Sequence, residues 1–169
     1  IVTTAVRLEA GASFSSLTMD LGGALARNKL TVKLHGEFAQ SDLRGLYVVS
    51  GGQHTDNQIV VDHASPKTTS RQIFRGILDD RAKAVFHGSV IVRKGADGSD
   101  ATQEDRNLLL SPSTEVNAKP ALWIYADDVK CSHGAASGQL AEESLFYLRS
   151  RGLSEREARH MIIEAFLAE

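Results

Sequence analysis

The sequence predicts a mainly β chain ending in two short helices, and the arrangement it favours for the strands is a parallel β-solenoid. Three observations carry this. Short β-rich runs recur as far as about residue 138, punctuated by Gly, Asn and Asp, with no sustained helical period among them. Several runs, such as 58–61 (QIVV), 89–92 (SVIV) and 107–110 (NLLL), are β-branched or Leu-rich without clean alternation. That is the look of strands covered on both sides or stacked in parallel. The Asn-Gly or Asp-Gly signature of a tight hairpin occurs once, at Asp97-Gly98, which is sparse for an antiparallel meander. A sandwich or a barrel shares the first observation; the other two favour the solenoid.

Taken in order, the chain opens on a strand-like run at 1–6 (IVTTAV), and further runs centre near Leu8 and Leu17. Leu30, Val32 and Leu34 alternate with Thr31 and Lys33, so they share one face of a strand. Comparable runs centre near Val48, Val60, Ile77, Val90, Leu109 and Ile124, with Gly22-Gly23, Gly51-Gly52, Asp56-Asn57 and Gly95 to Gly98 between them. After Gly138 the pattern changes. Residues 142–151 (EESLFYLRSR) are helix formers with acids first and arginines last, matching the macrodipole, and Gly152 follows at a C′ position. Ser154 and Glu157 have capping-box spacing. The helix they open places Ala158, Met161, Ile162, Ala165 and Phe166 on one stripe. The predicted organisation is a β core over 1–138 and a helical segment over 139–169. The helical pair is expected to cap the open end of the sheets, with docking of a partner as its alternative role.

Composition narrows the function. With 169 residues the chain can bury a core as one domain. A formal net charge of −2, with acids and bases interspersed, argues against nucleic acid or a membrane surface as a partner. No apolar run approaches the ~20 residues of a membrane span. One cysteine excludes an internal disulfide and suits a reducing, cytoplasmic setting. Residue 1 is Ile, with neither an initiator Met nor a secretory leader, so the sequence reads as a piece of a longer protein.

The chemistry concentrates in 127–135 (DDVKCSHGA), behind the apolar, aromatic run 121–126 (ALWIYA). If the extended backbone continues, Asp127, Val129, Cys131 and His133 share a face. Thiolate and imidazole together suit a soft metal or an iron–sulfur unit, yet two ligands cannot complete a tetrahedral shell. Either other residues complete the site, or it is half of one.

These residues resemble a known family. The stretch 127–135, then 138–140 (GQL) and 145–152 (LFYLRSRG), is similar to the C-terminal half of SufD, of the SufB/SufD iron–sulfur cluster assembly family. Supporting matches lie upstream in family order: His63, 70–76 (SRQIFRG), 84–90 (AVFHGSV), 107–111 (NLLLS) and Lys119-Pro120 ahead of Trp123. The likeness covers roughly residue 60 to the end; 1–59 is compatible without a sharp motif. Ala141 stands where the family often has an acid, which weakens a helix cap. The resemblance implies a right-handed parallel β-helix with a C-terminal α-helical hairpin, lacking the family's N-terminal region. It implies a non-catalytic scaffold pairing with a SufB-like paralogue and docking a SufC-like ATPase through the C-terminal helices. Cys131 and His133 would be its ligands to a transient iron–sulfur cluster or iron shared with the partner subunit, His133 the better of the two. A copy of this chain could stand in for the paralogue, giving a homodimer in isolation.

Set against these are plainer readings. Free Cys is among the most buried residue types, and Asp127 and Asp128 suit a turn. His63 and His87 read as structural. Phe146 and Tyr147 are adjacent on one helix and cannot both face a core, so an aromatic left exposed would suit partner binding. The chain has no Gly-rich phosphate loop, so no nucleotide is expected on it, and no nucleophile elbow or H-E-x-x-H pair. One rival is a β-helix carbohydrate-active enzyme using Asp62, Asp127 and Asp128, disfavoured by an aromatic content of 6%. Another is a purely structural, self-associating solenoid.

Overall fold

The computed structural model describes residues 1–168. Its strands are β1 (Val2–Leu8), β2 (Ser13–Asp20), β3 (Ala26–Leu34), β4 (Gln40–Val49), β5 (His54–His63), β6 (Thr69–Leu78), β7 (Lys83–Val92), β8 (Ser99–Leu109), β9 (Glu115–Ile124) and β10 (Val129–Gln139). Two helices follow, α1 (Glu142–Ser150) and α2 (Glu155–Ala168). Odd strands form one five-stranded sheet and even strands the other, each in chain order. Every pairing is parallel. The chain therefore winds as a solenoid, one odd and one even strand per coil, and residues one coil apart stack: Arg27 on Asp56, 29 residues on, and Gln72 on Gln103, 31 on.

Two features of the strands differ from the sequence reading. The Val- and Leu-rich runs are mostly not covered on both sides: β4 and β7 keep an in–out alternation with only the inward set buried, whereas Ile77 of β6 and its register partner Leu108 of β8 are buried on the outer face as well. Half-buried Val60 and Ile91 occupy the outer face, where neighbouring coils shield them. The polar stretch 99–106, which carries no hydrophobic period, is the first part of strand β8, which ends in the run near Leu109, and Gln103, Asp105 and Asn107 point inward and are buried. Asp97-Gly98 makes no hairpin; it lies at the corner before β8, where Gly98 has φ +73° and its N–H donates to Asp128 O. Gly11, Phe38 and Lys67 also have positive φ, at the equivalent corners of earlier coils, and the Lys67 ammonium lies 5.2 Å from the centre of the Phe38 ring.

The core between the sheets is apolar in its central coils, with Val32, Leu34, Leu43, Val61, Leu78 and Phe86 almost wholly buried. Phe74 and Phe86 face each other from opposite sheets at 4.9 Å. A Cβ on Gly45 would lie 2.1 Å from the Phe74 ring, so only glycine lets that ring cross the core. Polar side chains sit among these, and several are closely paired. His63 bridges Thr68 Oγ1 and Ser70 Oγ, both at 2.8 Å. The Tyr47 hydroxyl reaches Asp105 Oδ1 at 2.9 Å and also contacts Asn107, whose Nδ2 donates to Asp105 Oδ2 at 2.7 Å.

The helices do not cap the solenoid. They pack on each other and touch the strands only in isolated contacts. The edge of β10 away from β8 is unpaired, as is the edge of β9 away from β7. Helix α1 starts on Ala141 without a side-chain cap, as the loss of an acid there implies. It ends as predicted: Gly152 has φ +96°, its N–H donates to Arg149 O, and that of Leu153 to Leu148 O. The capping box of α2 is formed, Glu157 N–H donating to Ser154 Oγ at 3.3 Å and Ser154 N–H to Glu157 Oε2 at 2.8 Å. The inward stripe of α2 is narrower than predicted: Ala158 is buried and Ile162 and Phe166 half-buried, whereas Met161 and Ala165 are exposed. A nine-residue α1 is too short to cover more. No helix among the described residues is long and apolar enough to cross a membrane.

Candidate functional site

Strand β10 carries the 127–135 motif, and it is the least covered strand of its sheet. Val129 and Cys131 reach inward to Val90, Val92, Ala96, Ala101 and Leu122, which makes them half-buried. From Ser132 to Gln139 every residue is exposed, because no further coil lies over them. Gly134, Ala135, Ala136 and Gly138 contribute little bulk, so the strand presents mostly backbone.

Cys131 and His133 are two residues apart on this strand, on the same face and about 7 Å apart along the backbone. Cys131 is register partner to Ala101, and His133 to Gln103. The Cys131 thiol is pushed up from its ordinary pKa, first by burial and then by the Asp100 carboxylate, against a lowering backbone hydrogen bond from Ala101. At neutral pH it is a thiol, and binding a metal would have to displace its proton. His133 is exposed on the open side. A shallow hollow of about 350 Å³ adjoins it, lined among others by Gln103, Glu104, Arg106 and Gly134. Glu104 Oε1 is bridged by Arg106 at 2.7 Å and Arg75 at 2.9 Å, so the charged rim is internally compensated.

The structure brings Cys131 and His133 together and adds no third donor. Among the described residues no three of His, Cys, Asp and Glu converge in a metal-holding group. Asp127 and Asp128 lie in the corner between β9 and β10, where Asp128 O accepts from Gly98 N–H. Asp62 is gripped by Arg93 through two contacts of 2.9 and 3.1 Å on the outer face of the odd sheet. His63 is fully buried and its pKa is lowered to about 4, chiefly by burial, so it is neutral and inaccessible. His87 is exposed on the outer face of β7.

Phe146 and Tyr147 lie on α1, separate from the β10 pair; the six residues from His133 to the end of β10 alone span roughly 20 Å. Phe146 is 75% exposed and Tyr147 56%. Arg151 lies 5.2 Å over the Tyr147 ring and donates to its hydroxyl at 3.3 Å, whereas the inward positions of α1 are Leu145 and Leu148. Sequence reasoning missed Gln103 and the Tyr47–Asp105–Asn107 group. The one available signal was the spacing of Gln103, Asp105 and Asn107 at every second position, hidden because the intervening residues are polar too.

Comparison with known proteins agrees with this architecture. Residues 1–166 match the model of the SufBD core domain of the SUF system for Fe–S cluster assembly. Over 169 residues the chain is 38% identical to an iron–sulfur cluster assembly SufBD family protein of Synechocystis sp., covering 100% of this chain and 37% of that protein. It is 40% identical over 149 residues to the iron–sulfur cluster assembly protein SufD of Escherichia coli, covering 88% of this chain and 35% of the relative. Protein ABCI7, chloroplastic, of Arabidopsis thaliana is 38% identical over 169 residues, with 98% and 35% covered. The chain thus spans little more than a third of the length of these relatives. Fold, motif and similarity together place this chain in the SufBD core-domain family of iron–sulfur cluster assembly proteins.

Proposed function

We propose that this chain is the ligand-bearing part of a non-catalytic scaffold, offering His133 and Cys131 from β10 to a nascent iron–sulfur cluster completed by a SufB-like partner. One observation carries the reading: two donors stand on an uncovered terminal strand, with no third donor beside them among the described residues. A closed structural site would bring four. His133 is the first donor, since its imidazole binds through a ring lone pair without breaking a thiol S–H bond. Cys131 joins as metal and partner approach, when coordination outweighs the burial that keeps it protonated. The cluster is cargo, assembled across the interface and passed on. Nucleotide hydrolysis belongs to a SufC-like ATPase, for which Phe146 and Tyr147 form the anchor. Anaerobic reconstitution of the full-length protein with both partners, ferrous iron and sulfide tests the site. His133→Ala should lower acid-labile sulfide and bound iron about 10-fold, the scale on which metal-site changes act. Unchanged cluster content would end the ligand assignment.

A further inference from the structure

We propose that Gln103 is a positioning residue for His133: its amide oxygen accepts a ring N–H of the imidazole and leaves the other ring nitrogen facing the cluster. This rests on the reading of His133 as a ligand. Gln72, Gln103 and His133 stack in register as one inward-facing column on β6, β8 and β10. Both glutamines are buried, at 0% and 1% exposure. The Gln103 Nε2 donates to Gln72 Oε1 at 3.0 Å. Neighbouring strands stand about 4.8 Å apart, and the nitrogen and oxygen of a planar amide diverge. With its N–H given to β6, the Gln103 carbonyl oxygen is left for a donor on the other side, where β10 lies. That oxygen is buried and has no hydrogen-bond partner. Buried polar groups are seldom left unpaired, and an orphaned acceptor beside a histidine calls for a donor. Gln103 and His133 also line the same hollow, and the opposite sheet makes room for the amide. A Cβ on Gly88 of β7 would lie 2.2 Å from Gln103 Nε2. An imidazole with no acceptor can present either nitrogen; one acceptor fixes the tautomer and the ring plane.

The test uses the full-length protein in complex with its SufB-type and SufC-type partners, with histidine labelled in ¹⁵N. Two quantities are read: the ring tautomer of His133 before metal is added, assigned by its loss in His133→Ala, and the dissociation constant for ferrous ion under anaerobic conditions. The parent complex should show one tautomer. Gln103→Met, close in shape and without an acceptor oxygen, should mix the tautomers and weaken ferrous binding about 10- to 100-fold. Gly88→Ala should do the same by displacing the amide while Gln103 itself is unchanged. Gln103→Glu, which keeps an acceptor oxygen, should restore most of the affinity. If His133→Ala weakens ferrous binding while Gln103→Met and Gly88→Ala match the parent in both readouts, the positioning role is overturned and the ligand reading stands. If His133→Ala leaves the affinity unchanged, the ligand reading falls and the positioning role with it. Weakening by Met and Glu alike, with the tautomer unaltered, would reduce Gln103 to packing and overturn the proposal.

Discussion

A histidine and an aspartate buried in the same solenoid answer to pH in opposite directions. Burial raises the pKa of Asp105 from 3.8 to about 6, against the hydrogen bonds of Asn107 and Tyr47 and the charge of Arg75. The folded state therefore holds its proton more tightly than the unfolded chain, and this contribution is full below pH 3.8 and lost as pH rises to about 6. His63 is the reverse: its pKa falls from 6.5 to about 4, so its contribution grows as pH rises between those values. Each amounts to roughly 3 kcal/mol, and in the shared window they oppose. In urea unfolding, Asp105→Asn minus parent should give a stability difference that climbs from about pH 4 to 6. His63→Gln minus parent should give one that descends over about pH 4 to 6.5. A flat difference curve in either case would show that the group is not buried in the form described.

At the scale of elements, the helical hairpin and the last strand each leave something unsatisfied by the chain itself. The hairpin is held by local chemistry more than by docking onto the solenoid, so its caps weigh heavily. Ser154→Ala removes a bond to Glu157 N–H and should cost about 1 kcal/mol, seen as lost helical signal at lower temperature in circular dichroism. In the docking proposed above, Phe146 and Tyr147 would be unequal anchors. Tyr147 already rests against Arg151, whereas Phe146 has three-quarters of its surface open and should lose more on truncation. Phe146→Ala should weaken binding of the SufC-type ATPase about 10-fold in calorimetry, with a smaller effect from Tyr147→Ala. Equal affinity for the parent and both variants would remove the hairpin from that interface. Strand β10 is the counterpart: its small side chains leave an accessible row of backbone groups along one edge, the usual template for strand addition.

Across the whole molecule, that edge predicts self-association when the paralogue is absent. In sedimentation the full-length protein alone should form a dimer that the SufB-type partner dissolves. Ala135→Lys, a charge placed on β10, should shift it toward monomer; a dimer untouched by that change would locate the contact elsewhere. The sequence made much of this architecture legible and hid a definable remainder. The runs near Val60, Val90 and Ile124, the helix stop at Gly152 and the Ser154–Glu157 box could be read because each rests on local chemistry. The parallel pairing followed from the near absence of hairpin dipeptides. The run near Leu109 marked the end of strand β8, but its first part was hidden because its inward residues include Gln103 and Asp105, and a hydrophobic period cannot report a polar interior. The uncapped end was hidden for another reason: whether a helical pair folds back over a sheet depends on the turn at Leu140 and Ala141, not on the pattern of either helix. Cys131 and His133 stood out in the sequence through their motif; the column behind them belongs to register.

In a parallel stack each rung is steadied by the ones above and below, and β10 has a neighbour along one edge only. Its amides are therefore freer to breathe than those of an inner rung, and His133 rides on them. A second subunit that closes over this rung would do more than add missing donors. It would still the backbone from which the imidazole hangs, so that ordering of the site and arrival of the partner become one event.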